Sequence, residues 1–234
     1  QIVYYFSAGL YVLNTTNSKS VQFAVPTGNF GDILAGYYAA RMGLPISRLI
    51  LATNENDILA RFFNTGDYSL GTVVPTISPS MDIQVASNFE RYLYYKVGCD
   101  SRKLDALLKQ FASTAHLTIP RNGTGRVDDL FVAGVGHTSE TLAVIRKYYE
   151  QYNYLMDPHS AVGVKVAEPY VNDREPVICL ATAHPAKFSQ AIKDATGKDL
   201  AHHEILDRLA DAPTRCVVLP ADEKVVKDFI VRHT

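Results

Sequence analysis

Cysteine is scarce: Cys99, Cys179 and Cys216 are the only three in 234 residues, widely spaced and without a CxxC pair. That excludes a disulfide framework and a paired-thiol metal site, and fits a reducing compartment with structural thiols. Nor is there an excess of charge of one sign. Lys and Arg number 23 against 24 Asp and Glu, with no run of five like charges, so nothing supports an electrostatic nucleic-acid partner. No apolar stretch reaches the roughly 20 residues of a membrane span. Low-complexity tracts are absent, as is any internal repeat of about 20–50 residues. What is present is a hydrophobic content of 47%, too high for global disorder. A chain of this length buries roughly 70% of its unfolded surface, so the core needs no disulfide or metal to stabilise it. Two Asn-x-Thr triplets, at Asn14 and Asn122, are too common by chance to argue for secretion.

Ile2 to Leu13 is apolar and aromatic, but no Lys or Arg precedes it and no small-residue cleavage site follows, unlike a signal peptide. Its spacing, through Ile2, Tyr5, Phe6, Gly9, Leu10 and Leu13, predicts the buried face of a helix already under way. Residues 1–20 are therefore read as a helix continuing from an upstream segment, and 21–234 as one large domain. Within that domain Val21–Val25 reads as a buried strand, and Gly28 to Asp32 as a Gly-rich turn. Ile33–Met42 reads as a helix stopped by Gly43, Leu49–Thr53 as a second strand, and 56–64 as another helix. Strand, turn, helix, strand is a βαβ unit and implies a parallel sheet. Further strands are expected at Phe131–Val135, Val177–Thr182 and Cys216–Leu219. Helices are expected at about Met81–Val97, Arg102–Phe111, Ser139–Tyr149, Ala161–Tyr170, Ala186–Asp194 and Asp222–Val231. Thr118–Val127, with Pro120, Gly123 and Gly125, reads as a mobile loop. The alternation gives an α/β fold.

Three strand ends carry candidate chemistry. Gly28-Asn29-Phe30-Gly31-Asp32 lies between a strand and a helix, where unpaired N–H groups and the positive end of the helix dipole seat a phosphate. It is neither a P-loop nor a dinucleotide fingerprint, and an ordinary turn capped by Asp32 would share its composition. Gly134-Val135-Gly136-His137-Thr138-Ser139 lacks the third glycine, and reads as a helix entry capped by Thr138 or Ser139. Thr182, His184 and Lys187 cluster where another apolar strand ends, on the same sheet edge as the phosphate turn. Asp157-Pro158-His159-Ser160 reads as a loop and helix cap, because adjacent residues do not reach triad geometry. His202-His203-Glu204 has no metal-ligand spacing and reads as part of a surface helix; no metal site is expected. Glu90 and Arg91 read as solvent-facing charges in a helix.

Taken together and in order, several segments resemble threonine synthase of the fungal and bacterial type. They are Val25-Pro-Thr-Gly-Asn-Phe-Gly-Asp32, Thr53-Asn-Glu-Asn-Asp-Ile-Leu59, Ser80-Met-Asp-Ile83 and Ser87-Asn-Phe-Glu-Arg91, then Glu140-Thr-Leu142, Asp157-Pro-His-Ser-Ala-Val-Gly163 and Ala181-Thr-Ala-His-Pro-Ala-Lys-Phe188. The resemblance implies a pyridoxal 5'-phosphate (PLP) enzyme of the second PLP fold type, similar to tryptophan synthase β, with an incomplete parallel-sheet core. It would be a lyase of threonine biosynthesis, converting O-phosphohomoserine and water to L-threonine and phosphate. Gly28, Asn29, Phe30, Gly31 and Asp32 would then hold the cofactor phosphate. Thr182 would place its hydroxyl on the pyridine nitrogen. Asn88, Arg91 and Lys187 would meet anionic groups of the substrate, and His184 would shape the wall.

One departure stands against these matches. The lysine that anchors the cofactor in this family lies in a Phe-Lys-Asp setting upstream of where this chain starts, and no Phe-Lys-Asp occurs here. The chain therefore resembles the carboxyl part of threonine synthase and is expected to be inactive alone. A threonine-synthase-like phospho-lyase shares every motif, and a non-catalytic binding or signalling protein on the same scaffold is a further alternative. The small-molecule substrate is the expected partner, with no nucleic acid and no membrane. The protein is expected as a monomer or homodimer, cytoplasmic, or organellar if a transit peptide lies upstream.

Overall fold

The computed structural model describes residues 1–210 and 212–233. By their internal contacts they form two units, Gln1–Ala201 and His202–Thr234. The first carries a four-stranded parallel sheet in the order β5-β2-β1-β6, built from β1 (Val21–Pro26), β2 (Ile46–Thr53), β5 (Phe131–Val135) and β6 (Val177–Cys179). Register aligns Phe131, Leu49, Phe23 and Ile178 in one row across the sheet. Because side chains alternate along a strand, that row and Val25 with Leu51 face one side. There they pack with Tyr5 of α1 (Ile2–Thr16), Ile33 of α2 (Gly31–Arg41) and Phe62 of α3 (Ile58–Thr65). The intervening Ala24, Ile50 and Ala52 face the other side, against Val162 and Val166 of α7 (Pro158–Ala167). Both faces are thus covered, which is why the strands read as mostly apolar runs and not as an alternation of apolar and polar residues.

Around this core lie a two-stranded antiparallel ribbon of β3 (Asp67–Ser69) and β4 (His116–Thr118), and the helices α4 (Phe89–Lys96), α5 (Ser101–Thr114), α6 (Thr138–Tyr152) and α8 (Ser189–Thr196). The second unit contains α9 (Glu204–Ala210) and α10 (Glu223–His233). The α/β architecture and most elements match the sequence expectations, with some differences. Helix α1 runs to Thr16 and buries Tyr5 and Gly9, but Leu10 is exposed. The ribbon had no signal, its strands being three residues each. Cys216–Leu219 is not a strand. No neighbouring ladder accepts its backbone groups among the described residues, and Val218 is 90% exposed.

The helix expected from Met81 begins only at Phe89. Polar side chains around this stretch tie it to neighbouring segments instead. The Asp82 carboxylate accepts from the Thr76 N–H at 2.8 Å, the Thr76 hydroxyl at 2.6 Å, and the amides of Asn54 and Asn56 at 2.7 and 3.1 Å. The Ala86 N–H donates to the Tyr68 hydroxyl at 3.0 Å. Such side-chain bonds compete directly with helix.

One residue at the start of α2 departs from ordinary backbone geometry. Phe30 has φ +67°, in the left-handed region, where a bulky L residue is strained by about 1–3 kcal/mol. Its ring is fully buried, with ring centroids of Phe89 at 5.4 Å, Tyr92 at 5.6 Å, Phe63 at 5.8 Å and Phe131 at 6.2 Å. Aromatic packing outweighs the strain and pins the turn. Phe30→Ala is expected to destabilise the fold by about 3–5 kcal/mol. Phe30→Gly, although smaller still, is expected to be the milder change by about 1 kcal/mol, because glycine accepts positive φ. Urea unfolding followed by far-UV circular dichroism gives the order. A glycine variant less stable than the alanine one would show that no strain is stored at Phe30.

Candidate functional site

At the carboxyl ends of the strands opens a cleft of about 440 Å3. Segments far apart in sequence line it: Gly28, Asn29 and Asp32 from the turn after β1; Ser80 and Met81; Leu180 to Thr182 after β6, beside His159 of α7; and Gln1 and Tyr4 at the start of α1. Helix α2 begins inside it, and the Phe30 side chain offers no cap. The Gly31 N–H donates to the Asn29 side chain at 2.9 Å. Among the described residues no protein acceptor meets the N–H groups of Asn29, Phe30 and Asp32. A helix start with open donors is an anion seat. Gly28 is required by close approach: a Cβ there would lie 2.6 Å from the Ser80 carbonyl oxygen. The donor set and the narrow backbone crossing therefore fit a phosphate group.

The other sequence candidates fall into two groups. Thr182 lines the same cleft, its N–H held at 3.1 Å by the Ser160 hydroxyl, while its own hydroxyl has no protein partner among the described residues. Asn88 serves as a bracket. Its N–H and side-chain amide both donate to the Asn29 carbonyl, at 3.1 and 2.9 Å, and its side-chain oxygen accepts from Arg91. Asn88 and Arg91 line an adjoining cleft of about 330 Å3, which shares Asn29 with the first. His184 and Lys187 do not line either cleft. His184 caps the short 3-10 turn Pro185–Lys187 through the Ala186 N–H at 3.2 Å, and Lys187 is exposed at its end.

Asp157 caps α7 as its position before Pro158 predicts, accepting the His159 N–H at 2.9 Å. It does more than cap. Its carboxylate also bonds His159 Nδ1 at 2.9 Å and accepts from the Ser160 hydroxyl, and His159 Nε2 accepts the Ser80 N–H at 3.2 Å. Burial disfavours this carboxylate, but the hydrogen bonds from His159 and Ser160 outweigh it and hold the pKa below the usual range. Ser80, His159 and Ser160 are not among the site residues that the sequence points to. The available signal is two polar residues opening a helix whose next four residues, Ala161 to Val164, are small and apolar.

The second Gly-rich turn enters α6, but His137, not Thr138 or Ser139, stands at the cap position. Glu140 accepts the His137 N–H at 3.1 Å, and Glu55 accepts the Thr138 N–H at 2.6 Å. His203 accepts the Ile205 N–H at the start of α9. Among the described residues no group of three or more His, Cys, Asp or Glu could hold a metal ion, and no helix is long and apolar enough to cross a membrane.

A doubly covered parallel sheet with an open helix start at its carboxyl edge defines an α/β protein of the open, ligand-binding-edge architecture. The comparisons with known proteins narrow this. Residues 160–230 match the family model described as threonine synthase, C-terminal. The chain is 40% identical to threonine synthase of Methylobacillus glycogenes and 41% identical to that of Pseudomonas aeruginosa, in each case over all of this chain and 50% of the relative. It superposes on PLP-bound threonine synthase from Brucella melitensis with a TM-score of 0.89 at 43% identity, covering 99% of this chain and 50% of that one. The yeast enzyme gives 0.85 at 35% identity, over 98% and 50%. The chain belongs to the threonine synthase family, and spans about half the length of the relatives it matches.

Asp32 supplies a pH test of the cleft. Its Oδ1 is buried without a partner, and burial pushes its carboxyl pKa up. A carboxyl whose pKa is raised on folding binds its proton more tightly in the native state, so native stability falls as pH rises through the folded pKa. Asp32→Asn is expected to be more stable than the unsubstituted chain at neutral pH. The difference should close as pH falls towards about 4, near the unperturbed aspartate pKa. Chemical denaturation at several pH values reads the difference. A variant less stable at pH 7 would contradict it.

Proposed function

We propose that this chain supplies the cofactor-phosphate and ring-binding walls of a PLP-dependent threonine synthase, which converts O-phosphohomoserine and water to L-threonine and phosphate. The observation that carries the reading is the convergence, in one cleft, of open N–H donors at the start of α2 and the unpartnered Thr182 hydroxyl. When bound, PLP supplies an electron-withdrawing ring that stabilises negative charge on the substrate carbons.

The remaining work falls to the protein. Asn29, Phe30 and Asp32 donate main-chain N–H groups to the cofactor phosphate, and Gly28 keeps the crossing with Ser80 narrow. The Thr182 hydroxyl would hold the ring at its pyridine nitrogen. Being neutral, it would not keep a proton there as a carboxylate would, and the ring would supply a weaker electron sink, suited to elimination and replacement chemistry. Arg91, in the adjoining cleft and bonded to Asn88, meets an anionic group of the substrate. His184 and Lys187 serve at most as outer contacts.

PLP enzymes anchor the cofactor on a lysine that also moves protons. Among the described residues no lysine lines the cleft. This favours the reading that the chain by itself binds the phosphate and ring without turnover.

The test is a titration of the chain with 4'-deoxypyridoxine 5'-phosphate, which cannot attach covalently, beside its unphosphorylated counterpart. Saturable binding is expected, weakened about tenfold or more without the phosphate and again by Gly28→Ala. No threonine should form from O-phosphohomoserine. Equal binding of the two compounds would overturn the phosphate assignment, and threonine formation by the chain alone would overturn the claim of binding without turnover.

A further inference from the structure

We propose that Asp157 is a positioning residue that sets two walls of the cleft at once, the Ser80 wall through His159 and the Thr182 wall through Ser160. What the cleft holds rests on the reading above; the clamp itself rests on hydrogen-bond geometry. Asp157 and His159 are only 1% and 3% exposed. His159 Nε2 accepts the Ser80 N–H at 3.2 Å, so Nε2 carries no proton, and the imidazole proton sits on Nδ1, 2.9 Å from Asp157 Oδ1. The carboxylate therefore selects the tautomer that can hold Ser80. Its other oxygen accepts a hydrogen bond from the Ser160 hydroxyl, which turns the hydroxyl lone pairs towards the Thr182 N–H at 3.1 Å. One buried anion thus makes acceptors of both its neighbours, and each of them fixes a main-chain N–H on a different side of the cleft.

Both anchored residues matter to a ligand. The Ser80 carbonyl faces Gly28 across the narrow crossing, so moving Ser80 opens the phosphate seat. Past Leu180, whose N–H still bonds the Ala24 carbonyl at 3.0 Å, the sheet ladder ends. The Ser160 hydroxyl is the acceptor that then holds the Thr182 backbone.

An ordinary helix cap would explain Asp157 without a clamp, and substitutions separate the two. Asp157→Ser keeps a good cap but removes the second carboxylate oxygen. Amide hydrogen exchange by NMR is expected to rise about tenfold or more at both Ser80 and Thr182 in this variant, while the first turn of α7 stays protected. The 15N spectrum of His159 should change from a single Nδ1-protonated tautomer to a mixture. Ser160→Ala should release Thr182 only, and Ser160→Thr should restore it. Affinity for 4'-deoxypyridoxine 5'-phosphate should fall about tenfold in Asp157→Ser.

Unchanged exchange at Ser80 and Thr182 in Asp157→Ser would overturn the clamp and leave Asp157 a cap. If Asp157→Ser does not fold, the two Ser160 variants decide the Thr182 branch, and a failure of Ser160→Ala to release Thr182 overturns the proposal. Failure of the probe to bind the unsubstituted chain would count against the cofactor reading alone, since the exchange pattern does not depend on it.

Discussion

The cleft depends on a phenylalanine held where a phenylalanine does not ordinarily sit. Positive φ at Phe30 turns the chain sharply out of β1 and into α2, so that the first donors of the helix face the carboxyl edge of the sheet. Left to itself that conformation is unfavourable by about 1–3 kcal/mol. The rings of Phe63, Phe89, Tyr92 and Phe131 hold it, and they come from α3, α4 and β5. The hydrophobic core thus fixes the direction of a polar site. Had glycine stood at this position, the turn would have been easy to form and loosely aimed.

A second constraint is polar. The loop leading to Ser80 has no helix or strand to define it. Asp82 organises it by bonding Thr76, Asn54 and Asn56, and Asp157 reaches it through His159. Buried carboxylates are unfavourable unless hydrogen bonds satisfy them, and Asp157 is satisfied on both oxygens. Asp32 is not, and its carboxyl is pushed the opposite way. Of these two carboxyls, Asp157 behind the cleft wall is stabilised as an anion, and Asp32 in the cleft lining is penalised for it. Strain and unsatisfied groups of this kind gather where a protein binds something.

Much of this was legible in the sequence. The strand runs at Val21–Val25 and Phe131–Val135, the glycines around Phe30 and the Pro after Asp157 are local signals, and local physics honours them. The open helix start could be located because a strand, two glycines and a helix in succession leave donors unpaired wherever they occur. Arg91, by contrast, looked like a solvent-facing charge on residue chemistry alone, and exposed it is, yet it lines a cleft beside the turn. Lys187 and His184 shared a strand end with Thr182 but not its cleft, because a 3-10 turn carries them outward.

The sequence by itself determined the element order, the parallel α/β class and the place of the Gly-rich turn that opens α2, because periodicity, turn residues and helix-start donors act over a few neighbouring residues. Tertiary structure alone decided which strand ends share a wall, that Ser80 and His159 belong to the cleft, and that Asp157 joins its two sides. Ser80 and His159 stand 79 positions apart along the chain. No local pattern encodes such a contact; it exists because the sheet and α7 close-pack and leave only one place for each buried polar group to find its partner.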